Sequence, residues 1–189
     1  MRSTGLVALA GLFLGAQAGA AEDSHRANVS VFLKGGIGDF TGDLGVLTIS
    51  GPVWGLTVDV QPLKVLGIEI AYDGSRNPLH VSTTGSGALL RNGGTAMLKL
   101  GPPLFDLIKP WAGAGLGATQ VTVLGDQSAL FNNSFTEEVP LALGLEFNTR
   151  SVTAGIRYTY RFLLSEDIAT GFAAPGNFND FSATLGGRF

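Results

Sequence analysis

The stretch that decides the fold has the sequence VTAGIRYTYRF and runs from Val152 to Phe162. Apolar or aromatic residues occupy every even position, whereas Thr, Gly and Arg occupy the odd positions. Successive side chains of a β-strand point to opposite faces, so a period of two predicts a strand with one apolar and one polar face. The polar face of this strand carries Arg157 and Arg161.

The same alternation returns along the chain, for example over 54–60, 66–72 and 141–147. Strands are predicted at about 28–35, 52–60, 65–74, 89–100, 110–121, 138–148, 151–162 and 179–189. Several have the 9 to 11 residues that a tilted membrane-spanning strand needs. Long loops at 36–51, 75–88, 122–137 and 163–178 alternate with shorter turns at 61–64, 101–109 and 149–150. This plan is typical of outer-membrane barrels, which have an even number of strands.

The composition indicates which face of the strands points outward. Charged residues make up 14% of the chain, against about 25% in ordinary soluble domains. The polar faces carry small residues, as the narrow lumen of an eight-stranded barrel requires: Gly67, Ala71, Gly93, Gly113, Gly115, Gly117, Ala142, Gly144, Gly155 and Gly186. The apolar faces carry aromatics near segment ends, as in interfacial girdles: Trp54, Tyr72, Phe147, Tyr160, Phe162, Phe181 and Phe189. The expected fold is all-β, an eight-stranded antiparallel up-and-down transmembrane β-barrel. A soluble periplasmic barrel or sandwich is the alternative.

The first residues differ in kind from the rest. Arg2 gives a positive start, 6–14 is apolar, and Ala-x-Ala sites follow at 16–18 and 18–20. This pattern is typical of a cleaved secretory signal peptide. We therefore expect a signal peptide over 1–21 and a barrel over 22–189. The alternative, a membrane anchor, has an apolar core too short for a hydrocarbon layer of about 30 Å.

Two motifs resemble a known family. The ending FSATLGGRF, 181–189, is similar to the terminal strand of bacterial outer-membrane barrels, and KPWAGAGLG, 109–117, is similar to a strand common in small outer-membrane β-barrels. That family includes the transmembrane domain of outer-membrane protein A. The resemblance implies an outer-membrane location with both termini periplasmic. It also implies a terminal assembly signal made of Phe181, Leu185 and Phe189. The implied partners are membrane lipids, the outer-membrane assembly machinery and periplasmic chaperones.

The candidate site residues are ionisable groups on polar strand faces. A charge in a narrow lumen is costly unless it is paired, so opposite signs should meet there. Counting from the short turns places Glu69 and Arg157 near mid-depth, and Lys99, Glu146 and Arg188 nearer the periplasmic end. These five residues are predicted to form structural ion pairs. Arg161 is expected to reach water at a barrel mouth.

Other chemistries have little support in the sequence. There is no cysteine, the net charge is −3 and no basic run occurs, so neither a thiolate metal site nor nucleic-acid binding is expected. The GxGxG at 113–117 continues a strand, whereas a dinucleotide loop leads into a helix.

The His80-Val81-Ser82 triplet resembles the His-x-Ser pair of outer-membrane lipid A deacylases. It lies in a predicted loop, however, and no Asp or Glu occurs between Asp73 and Asp106. No cofactor or metal is expected.

The sequence therefore predicts a non-enzymatic outer-membrane barrel with a structural or surface-interaction role and a largely plugged lumen. A general porin role is disfavoured, because eight strands enclose little more than their own side chains. A narrow channel or a binding barrel for a small or hydrophobic ligand is the main alternative. A lipid A-modifying enzyme and a soluble periplasmic barrel are weaker ones. The residues do not choose between the first two readings, and they do not indicate an external partner.

Overall fold

The computed structural model describes residues 28–80, 87–102, 107–125, 134–149, 151–164 and 176–189. The signal peptide predicted over 1–21 lies outside this part of the chain. The elements in chain order are β1 (Asn28–Phe40), α1 (Gly42–Leu47), β2 (Gly51–Leu63), β3 (Leu66–Pro78), β4 (Gly87–Leu100), β5 (Ile108–Gly125), β6 (Ser134–Asn148), β7 (Val152–Leu163) and β8 (Phe178–Arg188). No helix among the described residues is long and apolar enough to cross a membrane.

The strands form a closed barrel. Each strand pairs antiparallel with the next one in the chain, and β8 pairs antiparallel with β1. The closing register joins Val31 to Gly187 and Ile37 to Phe181. Closure satisfies the backbone groups of every strand and leaves no sheet edge. The predicted eight-stranded, up-and-down, antiparallel barrel is confirmed.

The strands extend further toward the long loops than the sequence pattern predicts. β1 continues to Phe40 instead of 35, β5 continues to Gly125 instead of 121, and β6 begins at Ser134 instead of 138. The glycines after Lys34 resemble a loop, but Gly36 and Gly38 belong to β1 and pair with Ser182 and Asp180 of β8. A Cβ on Gly36 would come within 2.2 Å of the Phe181 carbonyl oxygen, so only glycine fits.

The outside of the barrel is apolar and the inside is polar. Large apolar side chains such as Leu33, Leu98 and Leu143 are exposed on the outer surface. The aromatics predicted to face outward are exposed as well, except for Tyr160, which is half-buried. We call this outer surface the apolar belt. This sidedness is the reverse of a water-soluble barrel and suits a lipid environment.

An apolar cluster closes the long-loop end of the lumen. We call it the apolar cap, and its buried members are Phe40, Leu44, Val53, Leu79, Leu89, Val121, Val123 and Phe178. Leu44 comes from α1, a helix that the sequence did not predict within the 36–51 loop. Backbone hydrogen bonds hold α1 and its flanks across the mouth, including His80 N to Leu47 O at 2.9 Å. The cap therefore separates the lumen from the loops.

Candidate functional site: the charged lumen

Below the cap, the barrel interior is filled by ionisable side chains. Every second residue of a strand points to the same face, so these groups share the inward-facing positions of their strands. The buried groups in the described part of the chain comprise as many cations as carboxylates: Lys34, Arg91, Lys99, Lys109, Arg157 and Arg161 with Asp59, Glu69, Asp73, Glu138, Glu146 and Asp180. Balanced signs are what a poorly hydrated interior requires, because an unpaired buried charge costs several kcal/mol.

The group nearer the short turns is centred on Lys99 of β4. We call it the turn-side network. Lys99 Nζ lies 2.5 Å from Glu146 Oε1 and 3.4 Å from Glu69 Oε2, and it also donates a hydrogen bond to Asp59. Arg157 Nη1 donates to Glu69 Oε1 at 2.9 Å. Five strands, β2, β3, β4, β6 and β7, are thereby linked across the lumen.

Trp111 completes the turn-side network. Its side chain points inward from β5 and is 6% exposed. Lys99 Nζ lies 4.3 Å from the centroid of the indole ring, and the Arg157 guanidinium carbon lies 4.9 Å from it. A cation held against an indole face is stabilised by the ring quadrupole. Trp111 therefore offers both cations a second partner besides the carboxylates.

The group nearer the long loops is centred on Arg161 of β7. We call it the loop-side network. Arg161 Nη2 donates to Asp73 Oδ2 at 2.9 Å, its Nη1 pairs with Asp180, and its Nε lies 3.4 Å from Glu138 Oε1. Arg161 thus faces three carboxylates from β3, β6 and β8.

Two further cations complete the loop-side network. Lys34 of β1 pairs with Asp73 and lies 3.7 Å from Asp180. Arg91 of β4 pairs with Glu138, and its guanidinium lies 5.1 Å from the ring centroid of Phe178. Because Phe178 belongs to the apolar cap, the loop-side network packs directly beneath the cap.

The structure brings together four of the five predicted lumen residues. Glu69, Lys99, Glu146 and Arg157 all belong to the turn-side network. Arg188 lies apart from them, half-buried on β8, and makes no ion pair with another described residue. The expectation that Arg161 reaches water was wrong, since this side chain is 2% exposed. The strand β7 continues past it to Leu163, and the cap covers that end of the lumen.

Several lumen residues were missed by the sequence reasoning: Lys34, Asp59, Asp73, Arg91, Lys109, Trp111, Glu138 and Asp180. A usable signal existed for some of them. Asp59 and Asp73 continue the polar faces of their strands, and Trp111 shares its parity with Gly113, Gly115 and Gly117.

Little free space remains between these side chains. The cavity bounded by Phe32, Thr57, Glu69, Trp111 and Arg157 measures about 10 Å³, close to the smallest volume that holds one water molecule. No group of His, Asp or Glu among the described residues is arranged to hold a metal ion. His80 is exposed beyond β3, and Ser82 lies outside the described residues. The lumen geometry is therefore that of a packed, charge-balanced plug.

The residues of the predicted assembly signal lie on the outer surface. Phe181, Leu185 and Phe189 are 58%, 62% and 83% exposed. The backbone of Phe189 exchanges hydrogen bonds with Val29 at 2.8 and 3.2 Å. The last residue therefore takes part in closing β8 onto β1.

Comparison with solved structures identifies the architecture. Neisserial surface protein A superposes with a TM-score of 0.61 at 16% identity, covering 87% of this chain and 100% of that one. The fold is that of the small outer-membrane β-barrels. The attachment invasion locus protein Ail of Yersinia pestis matches with a TM-score of 0.60 at 12% identity, over 87% of this chain and 100% of Ail. Outer membrane protein OprG of Pseudomonas aeruginosa matches at 0.53 and 14%, over 87% and 97%. No protein-family model and no curated protein matches the sequence.

Proposed function

We propose that this chain is an exported, non-enzymatic protein of the bacterial outer membrane, which has a structural or surface-interaction role and does not conduct solutes. The observation that carries the proposal is the closed lumen: the apolar cap and two charge networks fill it from one mouth toward the other. A pathway for ions or substrates needs a continuous hydrated space, and the paired side chains occupy that space.

The membrane assignment is supported by the apolar belt. Leucines, isoleucines and aromatics cover the outer surface of the strands, while twelve ionisable side chains of the described barrel are buried inside it. In water such a surface would drive aggregation, because large exposed apolar patches are rarely tolerated on soluble monomers. The apolar leader at 1–21 and the aromatic C-terminus support export and insertion by the assembly machinery and periplasmic chaperones.

The surface role is supported by the arrangement of the connections. All four long connections leave the same end of the barrel, the end covered by the cap. Two barrels of the same fold are named a surface protein and an attachment invasion locus protein. A plugged barrel that presents loops at one end is suited to interaction at the cell surface.

Conductance provides the direct test. The refolded mature chain in planar lipid bilayers is expected to produce no discrete current steps, because the networks and cap block the lumen. Insertion is verified separately by quenching of the exposed Trp54 with chain-brominated lipid. Steady single-channel current steps, recorded from protein whose insertion has been verified, would overturn the proposal and favour the narrow-channel alternative.

Deletion of Phe189 tests the assembly signal. We expect the deletion to lower the amount of folded barrel in outer membranes about tenfold, because it removes the two backbone hydrogen bonds to Val29 and the terminal aromatic ring at the closing seam. The readout is the heat-modifiable mobility of the membrane fraction.

The control for this deletion is Leu164→Ala, which trims a 59% exposed side chain at the opposite end of the barrel. Asn177 is unsuitable as a control, although the sequence places it in the fourth loop. Its backbone N–H donates to Thr41 Oγ1 at 3.1 Å and its side chain donates to the Tyr160 hydroxyl at 3.0 Å. Equal membrane yields of the deletion and of Leu164→Ala would contradict the assignment.

A further inference from the structure

The small cavity beside the turn-side network has the size of a single-molecule site. Its volume is about 10 Å³, and a cavity needs roughly 10 to 15 Å³, about one probe sphere, to hold one water molecule. Thr57, Trp111, Glu146 and Arg157 are among the residues that line it. The volume admits one water molecule or one monatomic ion and excludes larger ligands.

Each of these four side chains carries a polar atom that has no hydrogen-bond partner among the described residues. The atoms are Thr57 Oγ1, Trp111 Nε1, Glu146 Oε2 and Arg157 Nε. The four residues are buried, with exposed fractions of 1%, 6%, 4% and 5%. An unsatisfied buried polar group costs free energy, and native structures satisfy nearly all such groups. The cavity therefore calls for an occupant that forms hydrogen bonds.

The chemistry of the four atoms selects this occupant. The indole N–H of Trp111 and the Nε–H of Arg157 are donors, Glu146 Oε2 is an acceptor, and the Thr57 hydroxyl can act as either. A cation would face the two N–H donors, and an anion would face the carboxylate oxygen. Water both donates and accepts, and a buried water makes two to four hydrogen bonds.

We propose that the cavity binds one structural water molecule. The water accepts hydrogen bonds from Trp111 Nε1 and Arg157 Nε, and it donates to Glu146 Oε2 and Thr57 Oγ1. This assignment uses both lone pairs and both protons of the water. The site does not depend on the proposed surface role of the protein.

The water closes the turn-side network into a ring. Glu146 and Arg157 are already connected on one side, because Lys99 Nζ lies 2.5 Å from Glu146 Oε1 and 3.4 Å from Glu69 Oε2, and Arg157 donates to Glu69 at 2.9 Å. On the other side, the water joins the free oxygen of Glu146 to the free N–H of Arg157. Trp111 thereby gains a binding role besides its ring contacts with the two cations.

A crystal structure of the refolded mature chain tests the site directly. One isolated density peak is expected within about 2.7 to 3.2 Å of at least three of the four atoms. Absence of this peak, or direct hydrogen bonds between these side chains in its place, would overturn the proposal. This result needs no substitution, so it decides even if a variant fails to refold.

Two threonine variants test whether the peak belongs to this cavity. Thr57→Ile replaces the hydroxyl by a larger apolar group, so the density peak should be lost. Thr159→Val is the matched control, because Thr159 is 0% exposed and its Oγ1 also has no hydrogen-bond partner among the described residues, but it does not line the cavity. The peak should remain in this control. A peak that persists in Thr57→Ile would contradict the assignment.

Urea unfolding in phospholipid vesicles distinguishes a bound water from a dry cavity. Thr57→Val keeps the size of the side chain and leaves the water three partners, whereas Thr57→Ile leaves three polar atoms without the water. The unfolding midpoint of Thr57→Ile is therefore expected about 0.5 to 1 M urea below that of Thr57→Val. A dry cavity predicts the opposite order, because filling it with a methylene group would stabilise the barrel. A midpoint of Thr57→Ile equal to or above that of Thr57→Val would overturn the proposal.

Discussion

Replacing Arg161 by methionine is expected to lower the free energy of unfolding of the barrel by about 3 to 5 kcal/mol, the range for breaking a buried ion pair. Arg161 is 2% exposed and faces Asp73, Glu138 and Asp180. Lys34 and Arg91 remain after the substitution, so three carboxylates would share two cations. One carboxylate would then stay unpaired in a closed interior, or it would take up a proton.

Urea unfolding in phospholipid vesicles, followed by tryptophan emission, measures this effect. Arg76→Met is the matched control, because Arg76 is exposed and belongs to neither network; a change within about 0.5 kcal/mol is expected there. Arg161→Lys keeps the charge but loses the planar fork that reaches several carboxylates, so an intermediate loss is expected. If Arg161→Met were as stable as Arg76→Met, the loop-side network would contribute nothing to stability.

Strand identity could be predicted because it depends on local alternation, and sidedness could be predicted from composition. Once Val152 to Phe162 is assigned to a strand, parity puts Arg157 and Arg161 on one face and Ile156 and Tyr158 on the other. The low content of charged residues and the small residues of the polar faces then assign the first face to the inside, as the structure has it. Short turns made it possible to count the depth of a residue from the turn-side end of its own strand, even for strands that are not neighbours. Glu69 and Arg157 were assigned similar depths and lie 2.9 Å apart. The long-loop ends were less predictable, since glycines that permit close strand contact resemble those of loops.

The partners of each charge could not be predicted, because they depend on the stagger of strands that are distant in sequence. Lys99 of β4 meets Asp59 from β2 and Glu146 from β6, and each of these strands lies two strands away from β4 in the sheet. Arg161 was expected at a mouth because nothing in its own strand indicates α1, whose Leu44 helps to close that end. Barrel closure sets these contacts, and it is a property of all eight strands together.

Arg157 and Arg161 differ in how many carboxylates each of them faces. In the turn-side network, Arg157 makes one ion pair, with Glu69, and one ring contact, with Trp111. Glu69 in turn also lies 3.4 Å from Lys99. The pair is therefore simple enough for its coupling energy to be isolated, whereas Arg161 shares its carboxylates with two other cations.

The variants Glu69→Gln and Arg157→Gln are each expected to destabilise the barrel by about 3 kcal/mol, because each leaves a buried partner with reduced compensation. The double variant should be about 1 to 3 kcal/mol more stable than the sum of the two losses predicts, since the second substitution removes the charge that the first one left unpaired. The Arg157→Gln loss includes the contact with Trp111, but that contribution cancels in the cycle. Urea unfolding of all four proteins in lipid gives the coupling energy.

The control cycle uses Arg76→Gln and Glu137→Gln, two exposed charges on β3 and β6 that make no ion pair with each other. Their effects should be small and additive within about 0.5 kcal/mol. Coupling in the Glu69 and Arg157 cycle as small as in this control would mean that the 2.9 Å contact does not stabilise the folded barrel. Strong coupling would assign the turn-side network a stabilising role, because the two side chains come from strands that are not neighbours in the sheet and meet only across the closed lumen.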